Sequence, residues 1–322
     1  MTTADGALRL RVQSASWEAE GVHTYELRDP EGRDLPPFTA GAHIDLHLPN
    51  AMVRSYSLVN PQDERQRYVI AVQKDRASRG GSTWVHDKLR VGEFVPVAGP
   101  RNNFPLAEDS AVTLFIAGGI GITPLWCMIQ RLGALGRGFR LHYCVRRREE
   151  AAFRSPLAAM HGHAGAEILF NFDGEPGGKL LDIAGVVKAA APAAHLYCCG
   201  PLPMLAAFEE ATKDLPRERV HIEYFTPKEA PAAEGGFTVV LAKTGRSFVV
   251  APGKTILETL QDAGLDPACS CLEGVCGTCE TRVLEGTPDH RDVVLTEAER
   301  RASKTMMICC SGSKTDRLVL DL

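Results

Sequence analysis

Along the first hundred residues, apolar side chains recur at every second position. Within residues 41–48, Ile44, Leu46 and Leu48 fall on one face of an extended strand, and His43, Asp45 and His47 on the other. The alternation turns His43 and His47 towards solvent. Residues 8–12, 24–28, 68–73 and 94–97 read as further short strands, separated by Gly, Pro and Asp. Strands at this spacing predict a small antiparallel barrel or sandwich. Near residue 110 the period changes. Residues 112–117, 139–145, 167–172 and 195–199 are apolar runs of buried-strand length, and helical stretches start at Pro124 and cover 202–213. Strand alternating with helix predicts an α/β layer on a parallel sheet, with 221–225 as its last strand. A Pro/Ala/Gly-rich stretch at 229–235 reads as a linker. Beyond it, 237–242 and 247–250 flank a Thr244-Gly245-Arg246 turn as a hairpin, and 255–263 is an amphipathic helix with Ile256, Leu257 and Leu260 inward.

Composition narrows the class. The 322 residues amount to two or three domains at roughly 150 residues each. With 44% apolar and 24% charged residues the chain matches folded soluble proteins, which excludes wholesale disorder. A net charge of −4 leaves no basic footprint for nucleic acid or an acidic membrane surface. Two stretches, 110–130 and 189–208, run without a charged side chain. Gly118, Gly119, Gly121 and Pro124 interrupt the first, and Pro192, Gly200, Pro201 and Pro203 the second. A span needs about twenty uninterrupted helical residues, so both read as strand, turn and helix. The N-terminus lacks the basic start and apolar run of an export signal. The expectation is a cytoplasmic monomer that binds neither nucleic acid nor membrane.

The ten cysteines are distributed unevenly: none precedes Cys127, and six lie between Cys269 and Cys310. That pattern suits a local metal or redox site better than a disulfide framework. Cys271, Cys276 and Cys279 form C-x4-C-x2-C, with a fourth candidate at Cys309 or Cys310. This is the plant-type 2Fe-2S spacing, in which two bridged irons take four thiolates. Gly274 and Gly277 let the backbone approach the inorganic sulfides. The alternatives are a structural zinc site or a Cys276/Cys279 dithiol. Zinc usually takes two separated Cys pairs, and the four-residue gap breaks that pattern.

The runs ACSCLEGVCGTC (268–279), DHRDVVLT (289–296) and MMICCS (306–311) resemble the ferredoxin domain of the phthalate dioxygenase reductase and vanillate O-demethylase reductase family. The resemblance implies an α+β, β-grasp module whose fourth ligand lies about thirty residues past the third, at Cys309. Cys310, one residue later on a strand, would face the opposite side.

The same resemblance organises the upstream motifs. Arg54, Ser55, Tyr56 and Ser57 form R-x-Y-S, as in the ferredoxin-NADP reductase superfamily. There the Tyr packs on the isoalloxazine, the last Ser reaches flavin N5, and the Arg pairs with the flavin phosphate. Arg79, Gly80, Gly81, Ser82 and Thr83 are a second candidate phosphate cradle at a helix start. Within the family this position holds the FMN phosphate, and the preceding Ala71, Val72 and Gln73 line the ring. Spacing alone leaves FAD open. Gly118, Gly119, Gly121, Thr123 and Pro124 form GGxGxTP, which differs from the G-x-G-x-x-G fingerprint because Pro124 occupies the third glycine's place. In the superfamily this loop carries the pyrophosphate of NAD(P). Cys199, Gly200 and Pro201 resemble its CGP signature, with the Cys beside nicotinamide C4. Glu223, Tyr224 and Phe225 resemble its E-x-aromatic ending, with the aromatic shielding the flavin. Arg146, Arg147 and Arg148 stand where the adenosine ribose is read, and extra arginines there would suit a 2′-phosphate. Glu149 and Glu150 follow, as in a solvated charge run. The family resemblance favours NADH.

These readings divide the chain into an FMN-binding antiparallel β-barrel (1–106), an NAD-binding α/β domain with a parallel sheet (107–228), a linker (229–235) and a plant-type 2Fe-2S ferredoxin domain (236–322). The resemblance implies the reductase component of a Rieske-type oxygenase system. NADH supplies hydride, FMN passes electrons on singly, and the cluster delivers them to a terminal aromatic-ring dioxygenase or O-demethylating monooxygenase. Ser57, Cys199, Glu223 and Phe225 are the residues expected nearest the chemistry. Two other classes compete: a stand-alone NAD(P)H-flavin oxidoreductase, and a redox sensor with a different acceptor.

Overall fold

The computed structural model describes residues 7–49, 52–75, 80–110 and 112–322, so Arg79 of the expected phosphate cradle lies outside the described residues. Residues up to Glu223 form one compact unit and those from Tyr224 onwards a second.

The first unit opens with strands β1 (Leu8–Ala19), β2 (Val22–Arg28), β3 (His43–His47), β4 (Val53–Ser57) and β5 (Tyr68–Gln73). Helix α1 (Gly81–Lys88) and strand β6 (Phe94–Arg101) follow. The six strands pair antiparallel in the order β4-β3-β6-β1-β2-β5. A bridge between Leu58, just after β4, and Ile70 of β5 joins the two ends of the sheet, which removes open edges. Leu10, Leu27, Ile44, Leu46, Tyr68 and Val97 fill the interior.

The face of β3 expected to meet solvent is covered. His43 and Asp45 are buried, and His47 is half-buried. Asp45 pairs with Arg101 of β6 and accepts a hydrogen bond of 2.7 Å from Ser55 Oγ. A buried carboxylate persists only when it is paired and hydrogen-bonded. Alternation marks the two faces of a strand correctly but does not say what covers them.

The sheet that follows contains β7 (Thr113–Gly118), β8 (Phe139–Val145), β9 (Glu167–Phe172), β10 (His195–Cys199) and β11 (Val220–Glu223). They lie in the order β11-β10-β7-β8-β9, and each neighbouring pair is parallel. Every residue of β7 is buried, as a strand covered on both faces requires. Helices α2 (Ile122–Ala134), α3 (Arg154–Met160), α4 (Ile183–Lys188) and α5 (Leu202–Thr212) supply the crossovers. Both charge-free stretches resolve into such units, and no helix among the described residues is long and apolar enough to cross a membrane. The last strand stops at Glu223, so Phe225 lies beyond the sheet instead of within it.

The second unit has strands β12 (Phe237–Leu241) and β13 (Ser247–Val250), helix α6 (Ile256–Asp262), strands β14 (Glu280–Glu285) and β15 (Pro288–Asp289), and helix α7 (Glu297–Ala302). Strands β16 (Thr305–Met307), β17 (Gly312–Ser313) and β18 (Arg317–Leu320) complete it. The main sheet runs β13-β12-β18-β14-β16, with β12 and β18 parallel at its centre. Helix α6 starts at a capping box between Thr255 and Glu258 and buries Ile256, Leu257 and Leu260. Strand β16 ends at Met307, so Cys309 and Cys310 lie on a turn. The expectation that strand alternation separates their thiols is therefore overturned.

Candidate functional site

Three constellations carry chemistry. The first is the thiol group of the second unit. Between α6 and β14 the chain forms an irregular loop in which Leu272 and Gly274 adopt positive φ values of 62° and 71°. That winding aims backbone N–H groups inward. The Glu273 and Val275 amides each donate to Cys271 Sγ at 3.4 Å, and the Cys271 amide reaches Cys276 Sγ at 3.5 Å. The Cys276 thiol also meets Thr278 Oγ1 at 3.2 Å. Cys309, arriving from the turn after β16, lies within hydrogen-bonding reach of both Cys271 and Cys279. Hydrogen bonds from Cys276 and Cys309, with the backbone amides, pull the Cys271 thiol below its ordinary value within this closely packed group. Among the described residues no three His, Cys, Asp or Glu side chains close on one single-ion site. Four thiols shared two and two between two irons would not do so either. The donor set, three thiols from one C-x4-C-x2-C loop and a fourth from a distant turn, fits a 2Fe-2S cluster.

The spacing argument missed Asp292, inside the DHRDVVLT run. Its buried carboxylate accepts from the Val294 and Leu295 amides at 3.0 and 2.8 Å, and Gly274 packs against its backbone. The Val293 amide bonds the Gly274 carbonyl at 3.0 Å. An Asp followed by backbone donors two and three residues on was the available signal. Cys310 Sγ lies behind the same glycine: a Cβ on Gly274 would sit 2.4 Å from it.

The second constellation is at the C-terminal ends of β7 and β10, where the strand order reverses and open α/β sheets bind their ligands. Residues 119–121 make one 3-10 turn from β7 into α2. Thr123 Oγ1 donates to the Ile120 carbonyl at 2.9 Å, and Pro124 lies buried in the first turn of the helix. This loop is pressed onto the Cys199-Gly200-Pro201 segment. A Cβ on Gly121 would lie 2.2 Å from the Cys199 carbonyl oxygen, and one on Gly118 would lie 2.6 Å from Pro201 Cδ. Met204 of α5 closes the contact against Gly118 and Gly200, a role the sequence did not signal.

Strand register puts Cys199 opposite Glu223. Glu223 is half-buried, but its Oε2 is sealed from solvent and has no hydrogen-bond partner among the described residues. Burial raises its carboxyl to about 8, which leaves it neutral at pH 7. Burial first, and Glu223 second, hold the fully buried Cys199 thiol well above its ordinary value. Cys199 is thus a neutral thiol, unsuited to nucleophilic attack. An orphaned carboxyl oxygen at the switch point suits a ligand with an amide to offer. Phe225 is 38% exposed. At the tip of β8, Arg147 pairs with Glu20 and Glu150, and Arg148 with Glu175. Arg146 is exposed and makes no ion pair among the described residues.

The third constellation lies in the antiparallel sheet. Arg54 and Tyr56 share one face of β4, and Arg54 lies across the start of α1. A Cβ on Gly81 would meet Arg54 Nε at 2.5 Å, so a larger residue there would displace the Arg54 side chain. A cation over a helix N-terminus makes a phosphate cradle. Gly80 precedes the helix with φ of 99°. Ser82 Oγ accepts from the Asp75 amide at 3.2 Å, and Thr83 is half-buried. Ser57 is buried at the end of β4. Ser55 points the other way and spends its hydroxyl on Asp45. In β5, Ala71 and Val72 are buried, Gln73 is exposed, and the Val72 carbonyl meets His86 Nε2 at 2.8 Å.

Residues 239–313 match the 2Fe-2S iron-sulfur cluster binding domain family. The whole chain is 54% identical to phenoxybenzoate dioxygenase subunit beta of Ectopseudomonas oleovorans, covering 97% of each chain. It is 50% identical to tetrachlorobenzoquinone reductase of Sphingobium chlorophenolicum, covering 100% of each. Among solved structures, phthalate dioxygenase reductase is described as a modular structure for electron transfer from pyridine nucleotides to 2Fe-2S. It matches with 41% identity and a TM-score of 0.73, over 99% of this chain and 98% of that one. Full-length similarity at this identity, on top of a thiol quartet, a switch-point glycine turn and an Arg-glycine cradle in the same order, places the chain in the phthalate dioxygenase reductase family.

Proposed function

We infer that the chain is the reductase component of a Rieske-type oxygenase system, taking electrons from NADH through FMN and a 2Fe-2S cluster to a terminal aromatic-ring dioxygenase or O-demethylating monooxygenase. The observation that carries this reading is the approach of Cys271, Cys276, Cys279 and Cys309 to one another, from one loop and one distant turn. A bound flavin supplies the conversion between two-electron hydride chemistry and single electrons. The chain's own residues bind and orient. Arg54, with the Gly80–Thr83 helix start, grips the flavin phosphate, Tyr56 and the 71–73 strand flank the ring, and the Ser57 hydroxyl faces it. Gly118, Gly119, Gly121, Thr123 and Pro124 receive the dinucleotide pyrophosphate, and Arg146 stands by the adenosine ribose. Cys199, Gly200, Pro201 and Glu223 orient the nicotinamide amide, and Phe225 covers the flavin. No side chain is needed as a nucleophile.

The flavin part corresponds to residues 1–106 and the nucleotide part to 107–228, and the protein works as a cytoplasmic monomer apart from nucleic acid and membrane. Anaerobic NADH should bleach the flavin and then the cluster of the holoprotein, and a purified oxygenase component should reoxidise both. If acid releases zinc and no sulfide, the cluster assignment fails. A second reading is favoured by the relative that reduces tetrachlorobenzoquinone: the acceptor is a small quinone. Turnover with tetrachlorobenzoquinone that exceeds turnover with every oxygenase component tried would select it.

A further inference from the structure

The Pro/Ala/Gly-rich stretch 229–235 is laid along the second unit by main-chain bonds. The Ala232 amide donates to the Cys310 carbonyl at 2.8 Å, next to the candidate ligand Cys309, and the Gly253 amide donates to the Ala233 carbonyl at 2.8 Å. The packing is close at both ends. A Cβ on Gly312 would lie 2.8 Å from Ala232 Cβ, and one on Gly235 would lie 2.4 Å from Pro252 N. Arg291 gathers the acidic side chains of the stretch. Its guanidinium meets Asp289 at 2.8 Å, Glu229 at 3.1 Å and Glu234 at 3.9 Å. Its own amide donates to Ser311 Oγ at 3.2 Å.

Composition of this kind ordinarily signals a flexible connection. We propose that residues 229–235 are instead a strap on the cluster-bearing unit, fastened by Ala232 and Arg291, and that Arg291 is a positioning residue for electron transfer into the cluster. This rests on the function inferred above. Exposed ion pairs are individually weak, so the backbone bonds hold the body of the strap and Arg291 sets where it begins. The connection from the end of β11 at Glu223 to the strap at Glu229 is then five residues long, 224–228, and releasing the strap lengthens it to twelve, 224–235. Effective concentration falls with about the −3/2 power of connection length, so release should slow the intramolecular step about fourfold.

The test uses the full-length holoprotein. Hydrogen exchange followed by mass spectrometry should show slow amides at Ala232 and Gly253 in the unmodified chain. Arg291→Gln with Ala232→Pro, or Glu229→Gln and Glu234→Gln with Ala232→Pro if the arginine variant fails to fold, should speed exchange at Gly253 and leave β12 and β14 unchanged. In anaerobic stopped flow, Arg291→Gln with Ala232→Pro should bleach the flavin with NADH at the unmodified rate and reduce the cluster about fourfold more slowly. Arg291→Lys should recover part of the loss. Unprotected Ala232 and Gly253 amides in the unmodified chain, or an unchanged cluster rate after release, would overturn the strap. Failure of the functional reading looks different: the unmodified cluster would not accept electrons from NADH, while strap protection would persist.

Discussion

Replacing Gly121 by alanine tests the nucleotide site through its tightest contact. The new Cβ would lie 2.2 Å from the Cys199 carbonyl oxygen, 2.5 Å from its carbonyl carbon and 2.8 Å from the Gly200 nitrogen. All three are backbone atoms, so no side chain can turn aside. Ordinary contact begins near 3.4 Å, so the turn and the Cys199-Gly200 segment must separate by roughly 1 Å. A misplacement of about 1 Å costs on the order of 100-fold in a reaction that depends on orientation. The control is Gly136→Ala, in the exposed loop after α2 and outside the nucleotide-binding turn. Gly136 has φ of +65° but open space around its Cβ position, so this variant costs only a local strain of about 1–2 kcal/mol. The assay is steady-state NADH oxidation with ferricyanide, at matched flavin content, beside thermal unfolding of each variant. Gly121→Ala should lose about 100-fold in kcat/KM. Gly136→Ala should melt lower yet keep most of its activity. Equal activities in the two variants would refute the claim that the Gly121–Cys199 contact positions the nicotinamide.

Glu223 should impose an inflection near pH 8 on kcat/KM for NADH, falling on the alkaline side. A carboxyl at about 8 is roughly nine-tenths protonated at pH 7 and one-tenth at pH 9, and an ionised, covered carboxylate disfavours the neutral dihydronicotinamide. Its raised value also means that folded protein holds a proton the unfolded chain releases, so stability should fall as pH rises between 4.5 and about 8. Glu223→Gln should flatten both profiles, and a persisting inflection in that variant would assign it elsewhere. Arg54→Ala should weaken FMN retention about tenfold or more through loss of a charge-assisted bond, and Gly81→Ala should weaken it by displacing the same guanidinium. Equilibrium dialysis reads both, and an unchanged flavin affinity would remove Arg54 from the phosphate. Cys309→Ser should lose the cluster's visible absorption while Cys310→Ser keeps it, and the opposite result would make Cys310 the ligand.

Much of the architecture was legible from periodicity. A period of two up to residue 100, then short apolar runs with helices between them, identified an antiparallel sheet followed by a parallel one. The C-x4-C-x2-C loop stood out because sulfur ligands to a two-iron cluster must recur at loop spacing. The misreadings concern what covers the face of a strand, or where a strand ends. His43 and Asp45 alternate like surface residues, yet Arg101, more than fifty positions on, buries and pairs Asp45. Cys309 and Cys310 were separated by an assumed strand, but β16 ends at Met307 and a turn carries both. Phe225 was counted into a strand that stops at Glu223.

Side-chain chemistry written along the chain was enough to name the cluster loop from its thiols, and the family resemblance was needed to name the phosphate-facing glycines and the arginine ahead of a helix start. Those requirements are local, because covalent reach and backbone freedom act over a few residues. The distances that give the parts their properties were beyond reach of the linear order. Glu223 is pushed to about 8 by its surroundings, Gly121 is forced to be glycine by a carbonyl seventy-eight residues away, and residues 229–235 become a strap because Cys310 and Arg291 fold back to meet them. Desolvation, steric exclusion and charge pairing all depend on neighbours in space, and only folding assigns those neighbours.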